Sequence, residues 1–468
     1  MSAVAPQPPA AAHGGEIRKE LGLRDLVFAQ VISVVGLTWV GVAAKLGPSH
    51  VVFWLLAVAL FYLPAAAVII YLNRLRPLEG GLYTWARLGF NDFTGFMVAW
   101  SLWLNCVVLV SEVGIQTINI LGYLLGPRAA AFQENKWLMG TATVLAIAAI
   151  ALVTGIGLGL GKWVTNAGGA LLLAIFVALI ALPFRDRALG RLHEYHPLAL
   201  AMPTLSLLSL NLLGKMGFGA LSGAEYVAIF AGECRDAARS IGRSVMISAP
   251  IIALMFILGT SAVRAFVPQN KVDLVSPISQ ALQAGTVPGD PGASLIPLVI
   301  LAVLVTSLSQ QNFNFAAGSR LPLVAGWDHL LPKWFTRLHP RHRTPTNSIL
   351  FIGAVTVGLG IASLIGAGQQ EAYQILQNAQ GVFYSLAYLV MFALPLAGFR
   401  EVRPRPPLWL KAAAVSGFLM TALFVVVSVF PIIDVPNPLV FAVKVAGVIV
   451  ACNLIGAAIF AAYRRRLR

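Results

Sequence analysis

Charge is what this chain has least of. Asp, Glu, Lys and Arg make up 11% of its 468 residues, against about 25% in an ordinary soluble domain. So few charges cannot cover a water-soluble fold of this size. Acid is scarcer than base, 18 residues against 33, which leaves a formal net charge of +15. No long stretch is polar enough to form a basic domain, and this argues against a nucleic-acid binder despite the charge. Cysteine is rare as well. Cys106, Cys234 and Cys452 lie far apart without CxxC or Cys/His spacing, so neither a disulfide framework nor a zinc site is suggested. HExxH and GxSxG are missing. The glycine-rich stretch ending in Gly161-Lys162 carries Ile156 where a P-loop needs its first glycine, and Trp163 where it needs Ser or Thr. It reads as a tight connection between two apolar segments. The expectation is a non-enzyme with no cofactor and no resident metal.

What is present in quantity is apolar sequence. Hydrophobic residues make up 58% of the chain and the mean hydropathy is +0.81. Runs of about 20 apolar residues recur, the length a helix needs to cross a bilayer. The strands of a transmembrane barrel would instead alternate over about ten residues. The class is therefore an all-α polytopic membrane protein, with lipid as its main partner. Twelve spans are predicted, at about 26–46, 50–72, 95–122, 137–158, 163–183 and 203–231, then 243–266, 292–317, 346–365, 375–398, 408–432 and 436–462. Residues 1–25 form a tail, mostly disordered and rich in Ala, Pro and Gly at its start, with no cleavable signal peptide. With the N-terminus inside, most Lys and Arg fall on the cytoplasmic side, including Arg464, Arg465, Arg466 and Arg468. Arg185, Arg187 and Arg191 run against that bias. Both termini are then cytoplasmic, in the plasma (inner) membrane.

Two spans carry helix breakers in matched places. The first has Gly36 and Gly41 around Leu37-Thr38-Trp39, and the sixth has Gly217, Gly219 and Gly223. Glycine in a helix interior costs about 1 kcal/mol relative to alanine. The breaks occupy equivalent positions in two five-helix halves, about 26–184 and 203–398, and this points to an inverted-repeat carrier with broken helices at its site. Residues 399–468 add two helices and a basic tail. An outward-running first span presents a helix N-terminus at mid-membrane, which favours a carboxylate. An inward-running sixth span presents carbonyls, which favour an ammonium. A second reading of the same glycines is close helix packing, as Gly219-xxx-Gly223 also permits.

Four segments resemble the amino acid–polyamine–organocation (APC) superfamily of permeases, which have the LeuT-type fold. They are Leu21-Gly-Leu-Arg-Asp-Leu-Val-Phe28, Arg76-Pro-Leu-Glu-Gly-Gly-Leu-Tyr83, Gly223-Ala-Glu225 with Glu233 through Arg243, and Gly318-Ser-Arg320 through Thr344-Pro345. They stand in the family's order and cover about residues 21–398. The resemblance implies alternating access around a central site. Substrate would contact the broken parts of helices 1 and 6, namely Ser33, Gly36, Leu37 and Thr38, and Phe218, Gly219, Ala220, Leu221 and Ser222. The chain departs from the family at Thr38, where a third glycine is usual, and at 219–222, which has lost its aromatics.

Ionisable residues inside a bilayer are costly and mark functional sites by default. In the family helix 3 borders the substrate, so Glu112 is expected to be a proton carrier or a counter-charge for a cationic substrate; a protonated glutamate bonded to a neighbouring helix is the plainer reading. Lys215 is expected to replace a coupling cation, to pair with Glu112, or to snorkel to the interface. Glu225 matches a family glutamate implicated in proton sensing or in bracing helix 6. Lys444 reads as structural. Thr306 and Ser307, in a polar stripe of span 8, are weak Na⁺ candidates, since a hard cation needs oxygen ligands. Residues 326–343, basic and aromatic, read as an interfacial segment. The expected function is secondary transport of an amino acid or related amine, coupled to protons or to exchange. The alternatives are an organocation or polyamine carrier, and a non-transporting sensor or channel on a transporter fold.

Overall fold

The architecture comes from a computed structural model. It describes residues 23–466 apart from 76–80, 127–128, 224, 226–236, 288, 291, 325–333, 336, 343 and 398–404. The expected N-terminal tail, Lys162's side chain and most of the Arg76–Tyr83, Glu233–Arg243 and 326–333 motifs lie outside the described residues.

The regular structure of the described residues is all helical, with no strand among them. In chain order the helices are α1 Leu23–Val34, α2 Trp39–Ala44, α3 His50–Ala57, α4 Leu63–Leu75, α5 Leu82–Gly89, α6 Asp92–Val110, α7 Val113–Gly122, α8 Ala129–Gln133 and α9 Lys136–Ile156. They continue with α10 Leu158–Ala188, α11 Leu207–Gly214, α12 Ala237–Phe266, α13 Pro277–Ala284, α14 Ile296–Val324, α15 Thr346–Ser363, α16 Gln369–Ala397, α17 Leu408–Val427 and α18 Pro438–Arg466. Ten helical stretches among the described residues are long and apolar enough to cross a bilayer. They coincide with ten of the expected spans. The other two, 26–46 and 203–231, are the interrupted segments described below.

Local chemistry accounts for many ends. Asn91 and Asn135 cap α6 and α9 by accepting backbone N–H groups, and Ser206 and Ser209 form a capping box at α11. Between α9 and α10 the chain turns on Gly157 at φ +122°, a conformation other residues avoid. Thr344 then donates to the Gly155 carbonyl at 2.9 Å, tying that turn to the approach to α15. Pro64 has no N–H for the carbonyl of Leu60, four residues back. The helix widens to π geometry over Val58–Tyr62, and the Ser416 hydroxyl supplies the missing donor at 2.8 Å.

The arginines that ran against the charge bias are each held. Arg185 pairs with Asp186 at 2.7 Å, Arg187 donates to the Tyr195 carbonyl at 3.3 Å, and Arg191 grips Asp290 with both guanidinium nitrogens, Nη2 at 2.6 Å. These contacts clamp the 185–195 segment to the loop before α14. Lys444 is likewise engaged, 3.3 Å from Glu371 of α16.

Candidate functional site

Between α1 and α2 the chain leaves the helix over residues 35–38. The second break follows α11, where Lys215–Ala220 widens to a π-helix and the helix stops after Leu221. One side chain joins the two breaks. The Trp39 indole lies so close to Gly36 that a Cβ there would sit 2.7 Å from its Cδ1, and so close to Gly219 that a Cβ would sit 2.5 Å from its Cη2. Both glycines are therefore needed for close approach to one ring. Gly41 makes a similar approach to Pro277 of α13, 2.6 Å from its Cβ. The two readings of the glycines merge here: the chain is broken, and the breaks are packed.

A cavity of about 940 Å³ opens beside these breaks. Ser33, Gly36, Leu37, Thr38, Phe218, Gly219 and Ser222 line it, as do Glu112 and Ser307. Ala220 and Leu221 do not. Each is 1% exposed and turned into the apolar core. At one end the cavity reaches the exposed Arg24 and Phe28 of α1.

At the other end, Ile120 and Val275–Ile278 form a wall. The far side of that wall, with Asn119, Tyr123 and Asp273, lines a second cavity of about 660 Å³. The wall is tied by hydrogen bonds. Tyr123 donates its hydroxyl to Asp273 at 2.7 Å, Gln370 donates to the other oxygen of Asp273 at 3.2 Å, and Gln283 donates to the Tyr123 carbonyl at 2.9 Å.

Glu112 sits at an irregularity between α6 and α7, where Ser111 and Glu112 make three-residue rather than four-residue backbone bonds. Gly360 makes room for the displaced chain: a Cβ there would lie 2.7 Å from the Ser111 carbonyl oxygen. Glu112 is 1% exposed. Its Oε1 accepts from Gln116 at 2.5 Å and from Gln377 of α16 at 3.2 Å, while its Oε2 is buried with no partner. The amides are themselves held. Ser307 and Gln311 of α14 donate to Gln116, and Gln380 donates to Gln377.

Lys215 is 3% exposed, so it does not snorkel. It donates to Asn378 and lies 5.9 Å over the Phe424 ring, bonded to neither Glu112 nor any other carboxylate within ion-pair reach among the described residues. Glu225 accepts from the hydroxyls of Tyr384 and Tyr388, and Tyr388 in turn accepts the Gly223 N–H at 3.0 Å. This ties the break after α11 to α16, the geometry of a brace. Neither Thr306 nor Ser307 meets the α1 break. Thr306 reaches the Gly168 carbonyl at 3.5 Å and Ser307 is spent on Gln116. The α14 residue that does reach the break is Gln310, 3.4 Å from the Val35 carbonyl.

Sequence reasoning missed Gln116, Asn105 and Tyr384, all on the cavity wall. Gln116 was legible in principle, one turn after Glu112 on the same face. Tyr384 was not, because its place beside Phe218, at 5.7 Å between rings, depends on α16 packing against the π-helix.

An integral membrane protein with a central cavity beside two broken helices is the class these observations define. The chain belongs to the amino acid permease family, whose sequence model matches residues 21–457. It is similar to an uncharacterized transporter of Legionella pneumophila, 27% identical over 83% of each chain. It is also similar to a probable agmatine/putrescine antiporter of Lactococcus lactis, 22% identical over 84% of this chain and 83% of that one. A branched-chain amino acid permease of Bacillus subtilis is 24% identical over 79% and 82%.

Proposed function

We propose that this protein is a secondary active permease for an amino acid or a related amine, working by alternating access in the plasma membrane. The observation that carries the reading is the cavity of about 940 Å³ lying against both helix breaks. The relatives named for branched-chain amino acids and for agmatine and putrescine support the substrate range. The core is read as two five-helix repeats, about 26–184 and 203–398, in a twelve-span chain with both termini cytoplasmic. In that orientation the Arg24 end of the cavity faces the cytoplasm, and the Tyr123–Asp273 wall closes the outer side. Substrate is held by Ser33, Gly36, Leu37, Thr38, Phe218, Gly219 and Ser222. Coupling is to protons or to exchange. The hydroxyls offered for Na⁺, Thr306 and Ser307, already have protein partners, which supports this.

Uptake into proteoliposomes tests the reading. A panel of amino acids and amines is offered with and without a pH gradient, Na⁺ or internal substrate. Flux of at least one compound, driven by the pH gradient or by internal substrate, is expected. No flux for any compound overturns the proposal, and Na⁺-dependent flux overturns the coupling.

A further inference from the structure

We infer that Lys215 is a positioning residue of the transport cycle. Its ammonium holds the broken sixth span to Asn378 of α16 in the state described above, and passes to Gln374, one turn away on the same helix, when the molecule opens on the Asp273 side. The inference rests on the permease reading above and adds a residue that acts without touching substrate.

Lys215 opens the π-helix that follows α11, so it sits at the second break itself. Such widened turns recur at functional sites. Its side chain is buried, donates to Asn378 and lies over the Phe424 ring of α17. An ammonium has three N–H donors, and among the described residues Asn378 is its hydrogen-bond acceptor. Asn378 in turn donates to the Ser428 carbonyl at the end of α17, at 2.8 Å.

Four residues before Asn378, on the same face of α16, stands Gln374. It is buried too, and its Oε1 has no hydrogen-bond partner. Native structures keep few buried polar atoms in that condition. Lys215, Gln374 and Asn378 border one small hole of about 10 Å³. Thr38, Trp39 and Gln377 border it as well, and these three also line the main cavity. The hole therefore lies just behind the cavity wall, where both breaks meet α16.

This is one donor with two acceptors a turn apart. A helical turn is about 5.4 Å, and the lysine charge rides on a flexible four-carbon stem. A small displacement of the sixth span along α16 carries the ammonium from one amide to the other. Each position leaves one amide bonded and the other waiting. Two such arrangements of similar energy, one turn apart, make a bistable element of the kind that alternates between states. A static strut would gain nothing from Gln374, since an apolar side chain of its shape would fill the same place without an unpaired oxygen. Gln374 is the nearer of the two amides to the outer wall, because α16 begins at Gln369 and Gln370 donates to Asp273 there. Lys215 on Asn378 accompanies the cavity that reaches Arg24; Lys215 on Gln374 is the arrangement of the opposite state.

The test reads the two states by the rate at which a membrane-impermeant maleimide labels Ile120→Cys from the Asp273 side. It uses the full chain in proteoliposomes, with the chain lacking that cysteine as background. Gln374→Leu is expected to slow labelling about fivefold and Asn378→Leu to speed it about fivefold, each by removing the acceptor of one state. Both shifts are expected to vanish in a Lys215→Met background, because the two amides act through one ammonium. Melting temperature and gel-filtration profile check folding, and Gln374→Leu is expected to melt at or above the wild-type temperature. A folded Gln374→Leu protein labelled at the wild-type rate overturns the inference. So do shifts in the same direction from both leucine variants, or shifts that survive Lys215→Met. If Asn378→Leu or Lys215→Met does not fold, Gln374→Leu decides alone. Flux of the amino acid and amine panel is measured separately: wild-type flux with unchanged labelling of Gln374→Leu leaves the permease reading standing, and no flux of any compound overturns both.

Discussion

Two buried glutamates in this protein have opposite surroundings. Glu225 has a tyrosine hydroxyl on each oxygen, and one of those tyrosines also holds the Gly223 N–H. Glu112 has two amides on one oxygen and nothing on the other. A carboxylate whose partners all come from the protein is a strut, and its environment is complete without substrate. A carboxyl group with an oxygen left free on a cavity wall has room for a further partner. Burial alone does not separate the two roles; the inventory of partners does.

The largest expected effect comes from removing the strut. Glu225→Ala removes the carboxylate that accepts from both Tyr384 and Tyr388 and loosens the tie from Tyr388 to Gly223. A stability loss of about 2–5 kcal/mol is expected, read as a lower melting temperature together with lower uptake of every substrate. Glu112→Gln is expected to do the reverse. It keeps the shape of a buried carboxyl group, so stability stays within about 1 kcal/mol of wild type, while selectivity changes. If the two variants behave alike, the contrast between strut and site fails.

Next comes the junction of the breaks. A Cβ at position 219 meets the Trp39 ring at 2.5 Å, and the ring is already pressed on Gly36. Gly219→Ala must push the indole aside at a cost of about 1–3 kcal/mol. Uptake is expected to fall about tenfold, with any loss of melting temperature smaller than that of Glu225→Ala. Wild-type uptake by this variant would show that Trp39 does not join the breaks.

The wall between the two cavities sharpens the comparison further. Tyr123→Phe removes one hydrogen bond to Asp273, worth about 1 kcal/mol. A shift of about fivefold in the population of the state open on the Asp273 side is expected. Faster labelling of a cysteine introduced at Ile120, from that side, measures it; an unchanged rate rules out the bond as a latch.

The smallest effect is expected at the Arg191–Asp290 clamp. The Arg191 guanidinium beside Asp290 holds its carboxyl below the ordinary value of 3.8. A depressed folded pKa contributes stability above the unfolded value and loses it as pH falls through the folded one. Asp290→Asn should therefore lower the melting temperature slightly and equally between pH 8 and pH 5. The difference from wild type should shrink only below about pH 4. A difference that varies between pH 8 and pH 5 would contradict this.

Much of this molecule was legible without its tertiary structure. Runs of about 20 apolar residues located the helices, and the two glycine clusters located both breaks, because hydropathy and glycine's helix cost are local properties. The family motifs were legible for the same reason, since each is short and contiguous. Glu112, Lys215 and Glu225 stood out as charges among apolar neighbours. How each of them is partnered depends largely on residues far away in the chain. Gln377 completes the surroundings of Glu112, Asn378 takes Lys215, and Tyr384 and Tyr388 take Glu225. All four partners lie on α16, more than 150 residues from any of the three charges. The sequence by itself determined where the chain is apolar, where it breaks and which charges it buries. Only the packing of α16 and α14 against the breaks decided which carboxylate is satisfied and which is left open, because a hydrogen bond is set by distance in space and not by separation along the chain.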